Sequence, residues 1–391
     1  MRVAFVCLDP GVPVFGSKGC SIHVQEMTRF FLEAGFRVTL YTPRPDLPAP
    51  EEFSRVEVRE LPAHSGHRFD RETHQIGLNP RLISMLESDG PFHVIYERYS
   101  LFSYAGMIYA RQNSIPGILE VNAPLIDEQS QYRGLVRVAD AERTSRDVID
   151  AASSVIAVSE AVKEYIMRLT GRTRAVHVVP NGVDTDRFGP GIPPALPRVP
   201  ERFTVGFVGS LKPWHGLGDL VNAFRMFVRT VPDSRLLIVG DGPEREALEF
   251  LIEQMGLSSH VELAGRVPHD QVPGLLASMD VAVAPYPQER NNYFSPLKIF
   301  EYLAAGLPVV ATASGQIPDI IEDGKTGLIV PPGCPDRLAA AIRTLHADRQ
   351  LAIRIGRAAR EQAMSRHTWR GTGRRILETG GLRTVEVEAA A

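Results

Sequence analysis

Residues 293–312, YFSPLKIFEYLAAGLPVVAT, read as a short helix running straight into a buried strand. Ser295 fits the N-cap and Pro296 the first helical position, where its fixed φ suits the helix and its missing N–H would have had no partner. Gly306 fits the residue that stops the helix. Lys298 is out of place in the first turn, because a cation beside the positive end of the helix dipole is unfavourable by about 0.3–1 kcal/mol. A bound anion reverses that sign. The free N–H groups at Leu297 and Lys298, with the ammonium nearby, would make a phosphate site. Glu301 lies one turn further along the same face, and a carboxylate there suits a sugar hydroxyl.

The chain on either side alternates in the same way. In the second half, FTVGFVGS, SRLLIVG, VELAG and VAVAPY read as strands, separated by helices over residues 217–231, 244–255 and 272–278. In the first half, residues 2–8 read as a buried strand, DPGVPVFGSKGC as a Gly/Pro-punctuated loop, a helix starts near Ser21, and RVTLYT resumes as a strand. FHVIYERYS, GILEVNAP, SSVIAV and AVHVV continue the alternation, and residues 129–150 read as one charged helix. Its four arginines, Arg133, Arg137, Arg143 and Arg146, are interleaved with Asp140, Glu142 and Asp147, which favours a solvated face over a membrane patch. Such alternation in both halves predicts two doubly wound α/β domains with parallel sheets. Residues 188–202, dense in Pro and Gly, are the best boundary. They leave an N-terminal domain over 1–187, a C-terminal domain over 203–366, and a last helix with a disordered VEVEAAA end over 367–391.

In open α/β sheets ligands bind beyond the carboxyl ends of the strands. That places Glu97, Arg98, Glu120 and Asn122 among the site candidates by position, although for any single one of them a structural ion pair or loop cap is the stronger reading. Gly16 and Gly19 bracket a loop before a helix start, where backbone N–H groups approach a phosphate or sugar. The loops GSLKPWHG, GDGPE and GRVPH share one edge of the second sheet and suggest a nucleotide site. Lys212 and His215 are the basic groups that would approach a diphosphate; the plain alternative for His215 is a hydrogen-bonded loop histidine beside Trp214.

Composition narrows the class. With 391 residues, 44% hydrophobic, 23% charged and a net charge of −3, the chain fits two ordinary cores and carries no bulk attraction for nucleic acid or anionic lipid. Cys7, Cys20 and Cys334 are too few and too scattered for a disulfide framework or a metal cluster. VAFVCL is cut off by Asp9-Pro10-Gly11, which fits neither a signal peptide nor a membrane span, so the expected location is cytoplasmic.

GFVGSLKPWHG, LLIVGDGPE, AGRVPHDQVPGLLASMDVAVAPY, SPLKIFEYLAAGLPVVAT and IIEDGKTGLIVPPG, in this order, resemble the C-terminal half of the retaining glycosyltransferases of family 4, also described as group 1. GSKGCSIHVQEM and EVNAP match the N-terminal half in position. The resemblance implies the GT-B fold, two Rossmann-like domains facing each other across a cleft, with a nucleoside diphosphate sugar such as a UDP-sugar on the C-terminal domain and a hydroxyl acceptor on the N-terminal one. The acceptor would be a cell-surface glycan or a metabolite. No metal and no cofactor is required. Carried over by position, Lys298 would contact the diphosphate and Glu301 the ribose hydroxyls, the backbone at Arg266 and Val267 would hold the base, and Gly16 to Gly19 would close over the phosphates or sugar. Gly209, Ser210, Gly240, Phe294, Ser295 and Leu297 would complete the donor pocket, and Glu97, Arg98 and Glu120 would lie on the acceptor side. Departures stand out. Ser210 and His215 occupy the places of a common Arg and Lys, Tyr293 that of a Glu, with Glu289 too far upstream to replace it, and Asn122 that of a histidine. Asn122, Asn292 and Tyr293 would then orient sugar hydroxyls.

The implied reaction is hexosyl transfer with retention, in which Lys298, Lys212, His215 and the helix N–H groups stabilise charge developing on the leaving diphosphate. A nucleotide-sugar epimerase or sugar phosphorylase on the same fold and a donor-binding subunit without turnover are the alternatives. The expected partners are donor and acceptor, with membrane contact at most peripheral and a homodimer admissible.

Overall fold

The computed structural model describes residues 1–63, 68–197, 199, 202–288 and 292–382. The VEVEAAA end and Glu289 lie outside the described residues. The chain forms two compact units. The first comprises Met1–Asn181, Tyr293–Ser295 and the chain from Trp369 on; the second comprises Gly182–Asn292 and Pro296–Thr368.

The first unit is built on seven strands, β1 (Arg2–Val6), β2 (Arg37–Thr42), β3 (Glu57–Glu60), β4 (Val94–Arg98), β5 (Gly117–Val121), β6 (Ser154–Ala157) and β7 (Val176–Val178). They pair in parallel in the order β3-β2-β1-β4-β5-β6-β7, with Val3 beside both Val38 and Val94. Parallel pairing needs a crossover between successive strands, and covering both faces with helices buries the strands completely. β1, β5 and β6 therefore read as almost unbroken apolar runs. The sheet order reverses between β1 and β4, the place where an open α/β sheet leaves room for a ligand at its carboxyl edge.

The single charged helix expected over 129–150 is two helices, Leu125–Tyr132 and Val138–Ala151. Gly134 takes φ +67° just beyond the end of the first. The buried carboxylate of Glu72 accepts from the N–H groups of Val136 (3.1 Å) and Arg137 (2.7 Å), which satisfies donors at the start of the second. Glu72 is far away in sequence, so no local pattern announced this break. The helix Trp369–Thr379 rejoins the first unit. There the ring of Trp369 stands edge-on to that of His23 at 5.4 Å, and Thr372 donates to the Pro180 carbonyl at 3.2 Å.

The second unit repeats the plan with β8 (Phe203–Val208), β9 (Ser234–Val239), β10 (Val261–Gly265), β11 (Val281–Ala284), β12 (Val309–Thr312) and β13 (Leu328–Val330), in the order β10-β9-β8-β11-β12-β13, all parallel. Phe203, Phe207, Phe224, Phe227, Ile238, Val283 and Ile342 fill its core. The Pro/Gly-rich stretch is tied down at its start. Nη1 of Arg360 donates to the carbonyls of Thr185 (2.8 Å), Phe188 (2.6 Å) and Ala304 (2.8 Å), and Ala195 N–H donates to Gly274 at 2.8 Å.

The helix of the opening stretch runs Leu297–Ala304 and ends with Gly306 at φ +70°. Its N-cap is Pro296, in extended conformation, rather than Ser295. The Ser295 hydroxyl is occupied one residue too early, accepting from Asn181 N–H at 3.1 Å, while Asn181 Nδ2 donates to the Ser295 carbonyl at 2.8 Å. Without a capping side chain, the first N–H groups of this helix have no partner within it. No helix among the described residues is long and apolar enough to cross a membrane.

Candidate functional site

The carboxyl edge of the second sheet collects the loops that follow β8, β9 and β10. Their backbones continue the ladder beyond the strands: Gly209 N–H donates to Val239 (2.9 Å), Gly240 N–H to Gly265 (2.8 Å) and Leu211 N–H to Asp241 (3.1 Å). A side chain is excluded where these loops meet. Gly240 has φ +138°, and a Cβ there would lie 1.9 Å from the Gly209 carbonyl oxygen. Gly209 has φ +148°, and a Cβ on it would stand 2.5 Å from Nζ of Lys298. The two glycines are thus what lets the backbone reach the lysine.

Lys298 is 9% exposed, and its Nζ has no hydrogen-bond partner among the described residues. It lies 4.1 Å from the ring centroid of Phe207 and 5.3 Å from that of Tyr286. Such faces attract a cation by about 0.5–2 kcal/mol, well short of the hydration it has lost. Burial therefore pulls the Lys298 ammonium down to about 7, with Glu301 opposing the shift. An unpartnered ammonium at an uncapped helix start, against glycine backbone, has the chemistry to receive an anion.

His215 contributes no cation. Its Nδ1 donates to the Ser210 carbonyl at 2.5 Å, its ring packs beside Tyr286 and Phe207, and burial together with the Lys298 charge pulls it down to about 3. It orders the loop that carries Ser210, in line with the plain alternative and against the expectation of a basic group at the diphosphate. Lys212, half-buried, lies 5.5 Å from the Trp214 ring.

Glu301 is also 9% exposed, and its Oε1 accepts from Nε2 of His269 at 2.9 Å. Arg266 and Val267 stand on the same loop, exposed and half-buried respectively. A pocket of about 590 Å³ opens beside that loop, lined by Ile192, Ala195, Val267, Pro273 and Leu275 with Arg187 and Asp270 among its polar residues. Asn292 donates to Ser314 Oγ and to the Pro287 carbonyl (3.2 Å), which spends its amide hydrogens and leaves its buried Oδ1 without a partner among the described residues.

The remaining candidates belong to the first unit. The Tyr293 hydroxyl donates to Glu128 at 3.0 Å and its carbonyl accepts from Ser159 at 2.5 Å, so its polar groups are engaged within that unit rather than presented to a sugar. Phe294 is half-buried beside it. Glu97 is completely buried, its carboxylate accepting from Ser103 Oγ (2.6 Å) and Met107 N–H (3.2 Å) at the start of the helix Ala105–Gln112; burial pushes it up to about 7. Glu120 is 1% exposed and bound by His23 Nε2 (2.8 Å) and the Tyr96 hydroxyl. Burial would raise its carboxyl, but His23, Tyr96 and Arg98 outweigh this and hold it below its ordinary value. Arg98 donates to His23 Nδ1 at 3.2 Å, which puts the His23 proton on Nε2. Glu97 and Glu120 are therefore framework groups, with no free face for an acceptor. Asn122 is half-buried just beyond β5, with its Oδ1 buried and unpartnered among the described residues. Gly16 is fixed by Gln25, which donates to its carbonyl at 2.8 Å, and exposed Gly19 opens the helix Gly19–Glu33.

The second unit thus brings Lys298, Gly209, Ser210, His215, Gly240 and Glu301 to one sheet edge. Sequence reading missed His269, Phe207 and Tyr286. The two aromatics end apolar strands and read as core; the histidine stood in a loop valued only for its backbone.

Residues 17–187 match the family model described as Glycosyltransferase Family 4, and residues 202–348 that described as Glycosyl transferases group 1. The chain is 33% identical over 242 residues to the GDP-mannose-dependent alpha-(1-6)-phosphatidylinositol monomannoside mannosyltransferase of Mycolicibacterium smegmatis, a match covering 60% of this chain and 63% of that protein. It therefore spans less than two thirds of that relative's length. It is 28% identical to the D-inositol 3-phosphate glycosyltransferase of Corynebacterium jeikeium, over 95% of this chain and 94% of that one. The structure of sucrose-phosphate synthase from Thermosynechococcus elongatus superposes with a TM-score of 0.75 over 97% of this chain and 98% of that one, at 20% identity.

Proposed function

Since the chain belongs to the family 4, group 1 glycosyltransferases with their GT-B fold, we propose that it transfers a hexosyl group from a nucleoside diphosphate sugar to an acceptor hydroxyl with retention at the anomeric carbon. One observation carries the proposal: Lys298 holds a buried, unpartnered ammonium at an uncapped helix start, against the backbone of Gly209. A diphosphate there supplies the missing counter-charge to both the ammonium and the helix amides. Glu301 then accepts hydrogen bonds from the ribose hydroxyls, and the backbone at Arg266 and Val267 flanks the base.

In the reaction the bond from the anomeric carbon to the diphosphate oxygen breaks as the acceptor oxygen bonds to the same face. The acceptor proton passes to the departing phosphate oxygen. Charge accumulates on the diphosphate, where a fixed cation in a poorly solvated site stabilises it most. Lys298 provides that cation from the protein, so no metal is assigned and no cofactor is needed. His215 contributes by holding Ser210 rather than by charge. The acceptor is assigned to the first unit, near Asn122, and its class is a hydroxyl of a polyol, glycan or glycolipid, in keeping with the names of the relatives. A cytoplasmic site of action, with membrane contact no more than peripheral, fits the net charge of −3. The test is incubation with UDP- and GDP-sugars and polyol acceptors. Nucleoside diphosphate should be released in proportion to product, with the donor's anomeric configuration kept by NMR; an inverted product would refute retention.

A further inference from the structure

His269 arrives at Glu301 from a different element. It follows the loop after β10 and opens the single turn His269–Gln271, while Glu301 stands on the helix Leu297–Ala304. The carboxylate can only accept, so Nε2 of His269 donates in the 2.9 Å bond. Its Nδ1 is buried and has no hydrogen-bond partner among the described residues. The ring lies 5.4 Å from that of Phe188, whose own carbonyl is held by Arg360. The ring is thus fixed by packing on one side and donates to Glu301 on the other.

We propose that His269 is a positioning residue for Glu301 and through it sets how strongly the site reads the ribose of the donor. The inference rests on the assignment of Glu301 to the ribose. Glutamate has three side-chain torsions, and two adjacent hydroxyls are bound well only by a carboxylate whose plane is fixed. His269 takes one lone pair of Oε1 and thereby orients the group. Oε2 and the remaining lone pair of Oε1 stay available for the two hydroxyls.

A merely structural pair, tying the loop to the helix, would affect stability but not discrimination between ribose and deoxyribose. The experiment is therefore calorimetric titration of the full chain with UDP, GDP and their 2′-deoxy counterparts. For the diphosphate that binds, wild type should prefer the ribose form by about tenfold or more, the usual effect of losing one hydrogen bond to a charged acceptor. His269→Phe keeps a ring against Phe188 but removes the proton donor, and should reduce that preference to within about threefold, mainly by weakening the ribose form. His269→Gln can place an N–H near the position of Nε2 and should recover most of the preference. An unchanged preference in His269→Phe overturns the inference, whatever its melting temperature. Glu301→Ala separates the two levels. If it abolishes the preference while His269→Phe keeps it, the ribose assignment stands and His269 is structural; if it leaves the preference intact, the ribose assignment itself fails.

Discussion

Replacing Lys298 by methionine should stabilise the protein while removing its function. In the folded chain burial pulls the Lys298 ammonium down to about 7 from 10.5. Between those values the unfolded chain holds a proton that the folded chain has released, so stability falls as pH falls through this window. One pH unit corresponds to about 1.4 kcal/mol, so the loss accumulates to about 4 kcal/mol by pH 7 and levels off below it. The other ionisable groups around the ammonium do not mask this. His215 is held neutral down to about 3, and burial pushes the hydroxyls of Tyr286 and Tyr302 up and away from the window. Lys298→Met deletes the titration. It should therefore exceed wild type by several kcal/mol at pH 6–7 and approach it at pH 10. The two tryptophans, Trp214 and Trp369, lie one in each unit, so a Trp369→Phe background lets fluorescence follow urea unfolding of the second unit alone. Equal or lower stability of Lys298→Met at pH 7 would refute the claim that this site stores an uncompensated charge.

Three further outcomes follow from the same chemistry. A bound diphosphate restores the ammonium, so binding at pH 8 should take up close to one proton, seen as a dependence of the calorimetric enthalpy on buffer ionisation heat; no such dependence would mean that Lys298 is already charged or not at the phosphate. Glu97, raised to about 7 from 4.5, binds a proton in the folded chain that the unfolded chain has lost, so its contribution falls as pH rises through that window. Glu97→Gln should therefore raise first-unit stability by about 1–3 kcal/mol at pH 8 and little at pH 4, read from urea midpoints through Trp369 in a Trp214→Phe background. Arg360→Ala leaves the carbonyls of Thr185, Phe188 and Ala304 without their shared donor, which should destabilise the second unit by about 3 kcal/mol or more in the same urea assay.

The doubly wound sheets were legible because parallel strands buried on both faces appear as short apolar runs set off by helices and glycine-bearing loops. The proposed anion site was legible for a related reason: Lys298 contradicts its own helix dipole, and such local contradictions mark places where a partner is missing. What stayed hidden depends on contacts distant in sequence. Ser295 is drawn away from the capping role by Asn181, 114 residues away, whose N–H donates to its hydroxyl. Glu72 splits the charged segment into two helices from 65 residues upstream of Arg137. By position Tyr293 reads as a sugar contact, yet its hydroxyl is committed to Glu128. His215 carried the right residue type for a phosphate contact, but burial removes the charge that would have mattered. His269 shows the converse, a side chain whose use becomes visible only once the β10 loop is placed against Glu301.

The central claim, that Lys298 receives the donor diphosphate, is tested most directly by calorimetric titration of UDP and GDP into wild type and Lys298→Met at pH 7. The expected result is that one of the two binds wild type and binds Lys298→Met at least about 10-fold more weakly, the minimum for losing a charge-assisted contact, with the fold of the variant intact. Equal affinity in the two proteins would contradict it.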